Sequence, residues 1–231
     1  MGPEENSMSS FIQSISEAFS HGGFLMWAIV PVHIVTLAII AERVLALYFR
    51  RDLNQKKVVQ VFEDDIRKGL LDKVMSKAKA AADEPIAVVA LAGAQATMDL
   101  AGKEEVQLRM DEVLLEEQTR IEKRTGFLAM LGNVATLLGL LGTITGMIKS
   151  FAAVGNANAT EKAALLASGI SEAMNATAYG LIVAVPALVM YAVLQNRTNA
   201  LSDDLNKAAL RLFIWLTYNY ETVSGSKRKS M

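Results

Sequence analysis

The chain has no cysteine among its 231 residues, so it can build neither a disulfide framework nor a thiolate metal site. Histidine occurs only twice, and no His-Glu-x-x-His or other ligand-spaced cluster is present. A Gly-x-x-x-x-Gly-Lys-Ser/Thr phosphate loop is also missing. These absences argue against an enzyme, and no catalytic residue, cofactor or metal is expected. Lys and Arg are absent from residues 1–42, where the only charges are Glu4, Glu5, Glu17 and Glu42. The net charge of −1 says nothing about partners, because the charges are segregated along the chain. Nucleic-acid binding has no support, since the basic residues are interleaved with acids and flank apolar runs.

Apolar residues are what the chain has in excess, at 52 %, with only 6 % aromatics, and they are clumped. A helix needs about 20 apolar residues to cross roughly 30 Å of hydrocarbon. Gly23–Phe49, Gly126–Ile148 and Ala173–Leu194 each meet that length. The first is too long for a signal-peptide core and has no basic segment before it, so it reads as a retained span. The expected fold is therefore an all-α integral membrane protein with three transmembrane helices. Fifteen of the 23 basic residues fall between Arg43 and Arg124, starting with Arg43, Arg50, Arg51, Lys56 and Lys57. The link between the second and third spans holds only Lys149 and Lys162. Because positive flanks stay in the cytoplasm, the N-terminus is expected outside and the central segment and tail inside. This divides the chain into an outer segment (1–22), a first span (23–49), a cytoplasmic helical segment (50–124) and a second span (125–151). An outer turn (152–162), a third span (163–196) and a cytoplasmic extension with tail (197–231) complete it.

The central segment has helical composition, with breaks at Gly69, at Asp83-Glu84-Pro85 and at Ala101-Gly102-Lys103. Val106, Met110, Val113, Leu114, Glu117 and Ile121 then recur at helical spacing, and the charge run Asp111 to Lys123 reads as a solvated face. With no breaker before the second span, one helix is expected from about Lys103 to about Phe151, roughly 70 Å at 1.5 Å per residue. Gly155 to Thr160 forms the outer turn, with Thr160 able to cap the third helix. That helix has no strong stop before Tyr220, although Pro186 should kink it. Two of the three helices thus extend far into the cytoplasm. Met1–Ser10 reads as disordered, Phe11–Phe19 as a short amphipathic surface helix, and Ser224–Met231 as a polar mobile tail.

Two faces in the membrane carry hydroxyls among small residues. Thr136, Gly139, Thr143 and Gly146 fall at i, i+3, i+7 and i+10, with Gly132 and Gly142 widening the surface. Ala173, Thr177, Gly180 and Ala184 form the matching stripe on the third span. Small residues let membrane helices approach closely, and hydroxyls can bond across the contact. Composition alone leaves Thr143 and Thr177 open between lining a path and bonding their own backbone. No Asp, Glu, Lys or Arg lies near the midplane of the second or third span. Glu172 sits at the outer mouth of the third span and Lys149 at the outer end of the second. Glu42 and Arg43 lie near the inner end of the first, close enough to the interface to snorkel or pair. His33, two residues after Pro31, reads as a packed histidine rather than a relay. If this chain conducts protons, another subunit must lend the acid.

Three blocks resemble a known family, the proton-channel subunits typified by ExbB, TolQ and MotA. They are Gly22 to Arg43 with its terminal Glu-Arg pair, Leu137 to Phe151 with its Gly-Leu-Leu-Gly-Thr core, and Gly169 to Ala187. Three spans and a large cytoplasmic segment are closer to the ExbB/TolQ branch than to four-span MotA. The resemblance implies an inner-membrane homopentameric ring around helices of an ExbD/TolR-like single-span partner carrying a membrane aspartate. It further implies Thr143 and Thr177 facing that aspartate, Glu172 at the pore mouth, and coupling to a TonB/TolA-like envelope-spanning protein. Thr136, Asn175 and Tyr179 extend the implied ion path, while Gly139, Gly142, Gly146, Gly180 and Pro186 serve helix packing and Glu42–Arg43 the interfacial pair. Asn175 and Tyr179 depart from the small or hydroxyl residues common beside this threonine, which leaves proton against sodium open. Membrane lipid is the remaining partner. A non-conducting membrane scaffold is the alternative of a different class.

Overall fold

The computed structural model describes residues 23–49, 55–99, 101–155, 158 and 160–229. Among them there are helices and no strand. Helix α1 (Gly23–Val44) contains Pro31 and runs into a π-helical turn, Leu45–Phe49. Four shorter helices follow: α2 (Gln55–Arg67), α3 (Leu71–Ala80), α4 (Pro85–Met98) and α5 (Lys103–Glu122). Then come α6 (Thr125–Gly155) and α7 (Lys162–Lys229). Three stretches, within Phe24–Tyr48, Lys103–Gly155 and Lys162–Tyr218, are long and apolar enough to cross a membrane. Only 17 %, 28 % and 28 % of their most apolar windows are buried within the chain, so most of that surface is left for lipid or further subunits. The segment expected as a surface helix, Phe11–Phe19, lies outside the described residues, as does the stretch 1–10.

The chain divides into two compact units. The first, residues 1–43 and 124–193, is built on a seam of small side chains. Helix α6 buries Thr125, Leu128, Gly132, Ala135, Gly139, Gly142, Gly146 and Ser150, in steps of three or four residues that keep one face turned inward. Helix α7 answers with Ala173, Ala176, Gly180, Val183, Ala184 and Ala187. Ile29 of α1 closes a cluster with Ala135, Val183 and Ala184, flanked by Val32, Leu138 and Tyr179.

The second unit, residues 44–123 and 194–231, has a core of large side chains. Phe62, Ile66, Val74, Ile86, Met110, Ile121, Leu201, Leu205 and Leu212 are all almost fully buried. Its helix breaks fall at Gly69 (φ 70°), before Pro85 at the start of α4, and at Ala101-Gly102, each where the local chemistry favours a stop. On its surface Lys77 pairs with Asp65 at 2.5 Å, and Arg109 with both Asp99 and Glu105. The Arg197 guanidinium lies 4.9 Å from the Tyr48 ring centre.

Four sequence expectations need correction. The helix expected to run unbroken from Lys103 ends at Glu122, and α6 starts afresh at Thr125. The joint is Arg124, whose φ of 66° is uncommon for a residue with a Cβ. A long-range ion pair with Glu42 engages that arginine, and the nearby Gly126 lies inside α6 rather than at the joint. Glu117, read as part of a solvated charge run, is 4 % exposed and pairs with Arg120 at 2.5 Å. Thr160 lies in the turn rather than beside the helix; the Asn158 carbonyl accepts from Glu161 and Lys162, and α7 begins at Lys162. Finally, α7 continues to Lys229, through most of the segment expected as a tail.

Candidate functional site

Glycine sets how closely α6 and α7 approach. A Cβ on Gly180 would fall 2.7 Å from the Ala135 carbonyl oxygen and 3.0 Å from the Gly139 Cα, so backbone here touches backbone. A Cβ on Gly142 would overlap that of Ala176, and one on Gly146 would come within 2.9 Å of that of Ala173. Across this contact Thr177 Oγ1 donates to the Gly139 carbonyl at 2.9 Å. Thr143 Oγ1 instead donates to its own helix, to the Leu140 carbonyl at 2.6 Å, and Thr136 Oγ1 to Gly132 at 3.1 Å. The two readings left open thus divide: Thr177 bonds across the seam, Thr143 bonds its own backbone. Each hydroxyl oxygen still has acceptor capacity to spare.

The stripe read from spacing does not form one buried face. Gly139 and Gly146 are buried, whereas Thr136 is exposed and Thr143 half-buried. At about 100° per residue, Thr136 and Thr143 lie about 60° and 40° to one side of Gly139, and Leu138 about 100° to the other. On α7, Thr177 lies about 60° to one side of Gly180 and Tyr179 about 100° to the other. Leu138 and Tyr179 pack against the cluster that Ile29 of α1 closes, and Tyr179 also meets His33 of α1. Helix α1 therefore covers one flank of the seam, and the three threonines share the opposite flank, which is open within the chain.

The other expected path residues fall on the α1 side of α7. The Tyr179 hydroxyl lies 2.9 Å from His33 Nδ1, with the two rings edge to face at 5.8 Å. Glu172 pairs with Lys149 at 3.5 Å. Asn175 is half-buried and Pro186 exposed on this same half of the helix. The resemblance set Asn175 and Tyr179 beside Thr177, their neighbour in sequence; a helix turns neighbouring residues to different faces. The His33–Tyr179 contact joins residues 146 positions apart, which no local pattern could have revealed.

Glu42 and Arg43 do pair, at 2.8 Å, and a third group joins them. The second carboxylate oxygen of Glu42 accepts from Arg124 at 2.8 Å. Arg43 is almost buried, with 8 % of its side chain exposed. The carboxylate thus ties the end of α1 to the residue just before α6. Among the described residues no three His, Cys, Asp or Glu side chains lie close enough together to hold a metal ion.

Residues 81–207, which include α4, α5, α6 and much of α7, match the MotA/TolQ/ExbB proton channel family. The chain belongs to that family. Among relatives, the biopolymer transport protein ExbB of Pseudomonas putida is 31 % identical over 126 residues, 54 % of this chain and 38 % of that protein. The Tol-Pal system protein TolQ of Haemophilus influenzae is 37 % identical over 95 residues, 41 % of each chain. A putative biopolymer transport protein, ExbB-like 1 of Synechocystis, is 30 % identical over 180 residues, covering 77 % of this chain and 69 % of its own. The chain thus spans less than half the length of the first two relatives.

Proposed function

We propose that the chain is a ring-forming subunit of an inner-membrane motor driven by the proton-motive force. In this reading its N-terminus is periplasmic, its second compact unit is cytoplasmic, and five copies surround single-span partner helices of the ExbD/TolR kind. The charge distribution supports the orientation, with no basic residue before Arg43 and fifteen from there to Arg124. One observation carries the functional reading: three membrane threonines share the open flank of a glycine seam in spans that lack any midplane acid. Such a flank accepts hydrogen bonds yet cannot hold a proton. A partner carboxylic acid would supply the proton carrier. Once neutralised, that acid loses most of its cost of leaving water and can pass along an apolar wall with spaced hydroxyl acceptors. The drive amounts to about 2.3 kcal/mol for each charge moved across 100 mV. Biopolymer transport, Tol-Pal-type envelope maintenance and gliding are the outputs in view, with a TonB/TolA-like protein as the element that carries the work outward.

Thr143→Val tests this most cleanly, because its hydroxyl donates to its own helix and not across the seam. Normal assembly with loss of proton-driven output is expected, and Thr143→Ser should retain output. Full output from the Thr143→Val, Thr177→Val double variant would instead support a structural scaffold. Replacing sodium in the assay medium separates the ions: output that follows sodium would overturn the proton assignment.

A further inference from the structure

The polar character of the open flank does not end at the threonines. Asn133 is exposed on α6, about 60° further round the helix than Thr136 on the same side of the seam. It lies eight residues into the helix from Thr125, about 12 Å along its axis. The three threonine hydroxyls all donate to helix carbonyls, so each hides its only hydrogen in the protein. Asn133 takes no such bond. Its amide carries two donors and two acceptor lone pairs, and it makes no hydrogen bond among the described residues. Facing lipid, those groups would stay unsatisfied in a medium that offers no partners. The neighbouring face of the same helix shows the contrast, since Leu137, Leu141, Ile144 and Ile148 are all large, apolar and exposed.

We propose that Asn133 lines a water-filled continuation of the ion path, extending the threonine flank from mid-span toward the Thr125 end of α6. Water, rather than an apolar partner, satisfies the amide, and the residue holds a hydrated route through which protons leave the threonine region. Placing Asn133 on the path rests on the channel reading given above; its hydration does not.

Because the chain has no native cysteine, single substitutions report directly. Asn133→Cys and Leu137→Cys are compared in full-length protein expressed with its partner in permeabilised membrane vesicles, using a charged thiol reagent. The thiolate, which forms only where water reaches, is the nucleophile that attacks such reagents. Labelling at 133 an order of magnitude faster than at 137 is expected. Equal, slow labelling at both positions would overturn the inference. Asn133→Leu should lower proton-driven output severalfold with assembly retained, and Asn133→Ser should restore it. Loss of assembly in Asn133→Leu together with an unreactive Asn133→Cys would mark a dry subunit contact and also overturn it. The two readings fail separately. If Thr143→Val is fully active while Asn133→Cys labels fast, the hydrated flank stands and the threonine path does not. If Thr143→Val is inactive and Asn133→Cys is inert, the reverse holds.

Discussion

Each of the two units of this chain has its own interior, and the two interiors use side-chain volume in opposite ways. In the first, Gly139, Gly142, Gly146 and Gly180 meet Ala135, Ala173 and Ala176, so stabilisation comes from backbone brought against backbone. In the second, Phe62, Ile66, Leu201, Leu205 and Leu212 fill the space between helices. The difference follows from the surroundings each is suited to. Among lipid tails, burying a leucine gains little, and close van der Waals contact with cross-helix hydrogen bonds takes over. In water, removal of large apolar surface dominates, and amphipathic α2 with its surface ion pairs fits that regime. One unit should therefore be broken by taking atoms away and the other by adding them.

The largest effect is expected from truncation in the second unit. Phe62 is 1 % exposed, and Phe62→Ala should destabilise it by about 3–5 kcal/mol, the range for emptying a buried aromatic site. Unfolding of the purified full chain in detergent, followed by amide exchange in α2, measures this. A change below about 1 kcal/mol would show that the core is loosely filled, against the packing density expected of interiors.

Addition should separate the units next. Gly180→Ala places its methyl against the Ala135 carbonyl and Gly139 backbone, which cannot move aside, and should cost about 1–3 kcal/mol. Gly93→Ala in the second unit meets Leu216 Cδ1 and Met110 Sδ, both at 2.7 Å. Those are ends of flexible side chains that can rotate away, so its cost should be the smaller of the two. The reverse order in a common detergent-unfolding assay would break the comparison.

How much of this was legible beforehand depended on whether the cause was local. Apolar run length exposed the three spans, and Gly69, Pro85 and Gly102 announced their helix breaks through backbone chemistry. The glycines of the seam were legible as packing residues because their spacing is periodic. The break at Arg124 was not, since its ion-pair partner Glu42 is 82 residues away. Nor was the division of the expected path residues between two flanks, because that depends on which side of the seam α1 covers. His33 and Tyr179 looked unrelated for the same reason. Spacing identifies which residues share a helix face, but only tertiary contacts decide what each face meets.

The smallest expected effect concerns the surface of the second unit. Lys77 Nζ lies 2.5 Å from Asp65 Oδ2, and this ammonium holds the carboxyl below its usual range, outweighing the opposing effect of partial burial. A carboxyl whose value is lowered on folding adds stability above its unfolded value, about 3.9, and loses that contribution as pH falls through the folded value. Lys77→Met keeps most of the side chain's length but removes the charge. The stability difference between the natural chain and Lys77→Met should therefore be constant near neutrality and vanish under acid conditions. High salt should shrink it as well, because the lysine is 46 % exposed. No comparable acid dependence should come from the glycine contacts between Gly132–Ala184 and Gly146–Ala173, where neither helix presents a charged group to the other; the Lys149–Glu172 pair that joins α6 to α7 lies just beyond them. A difference that persists unchanged in acid would mean that Lys77 acts through its packing against α2, and the charge-based contrast between the units would lose this support.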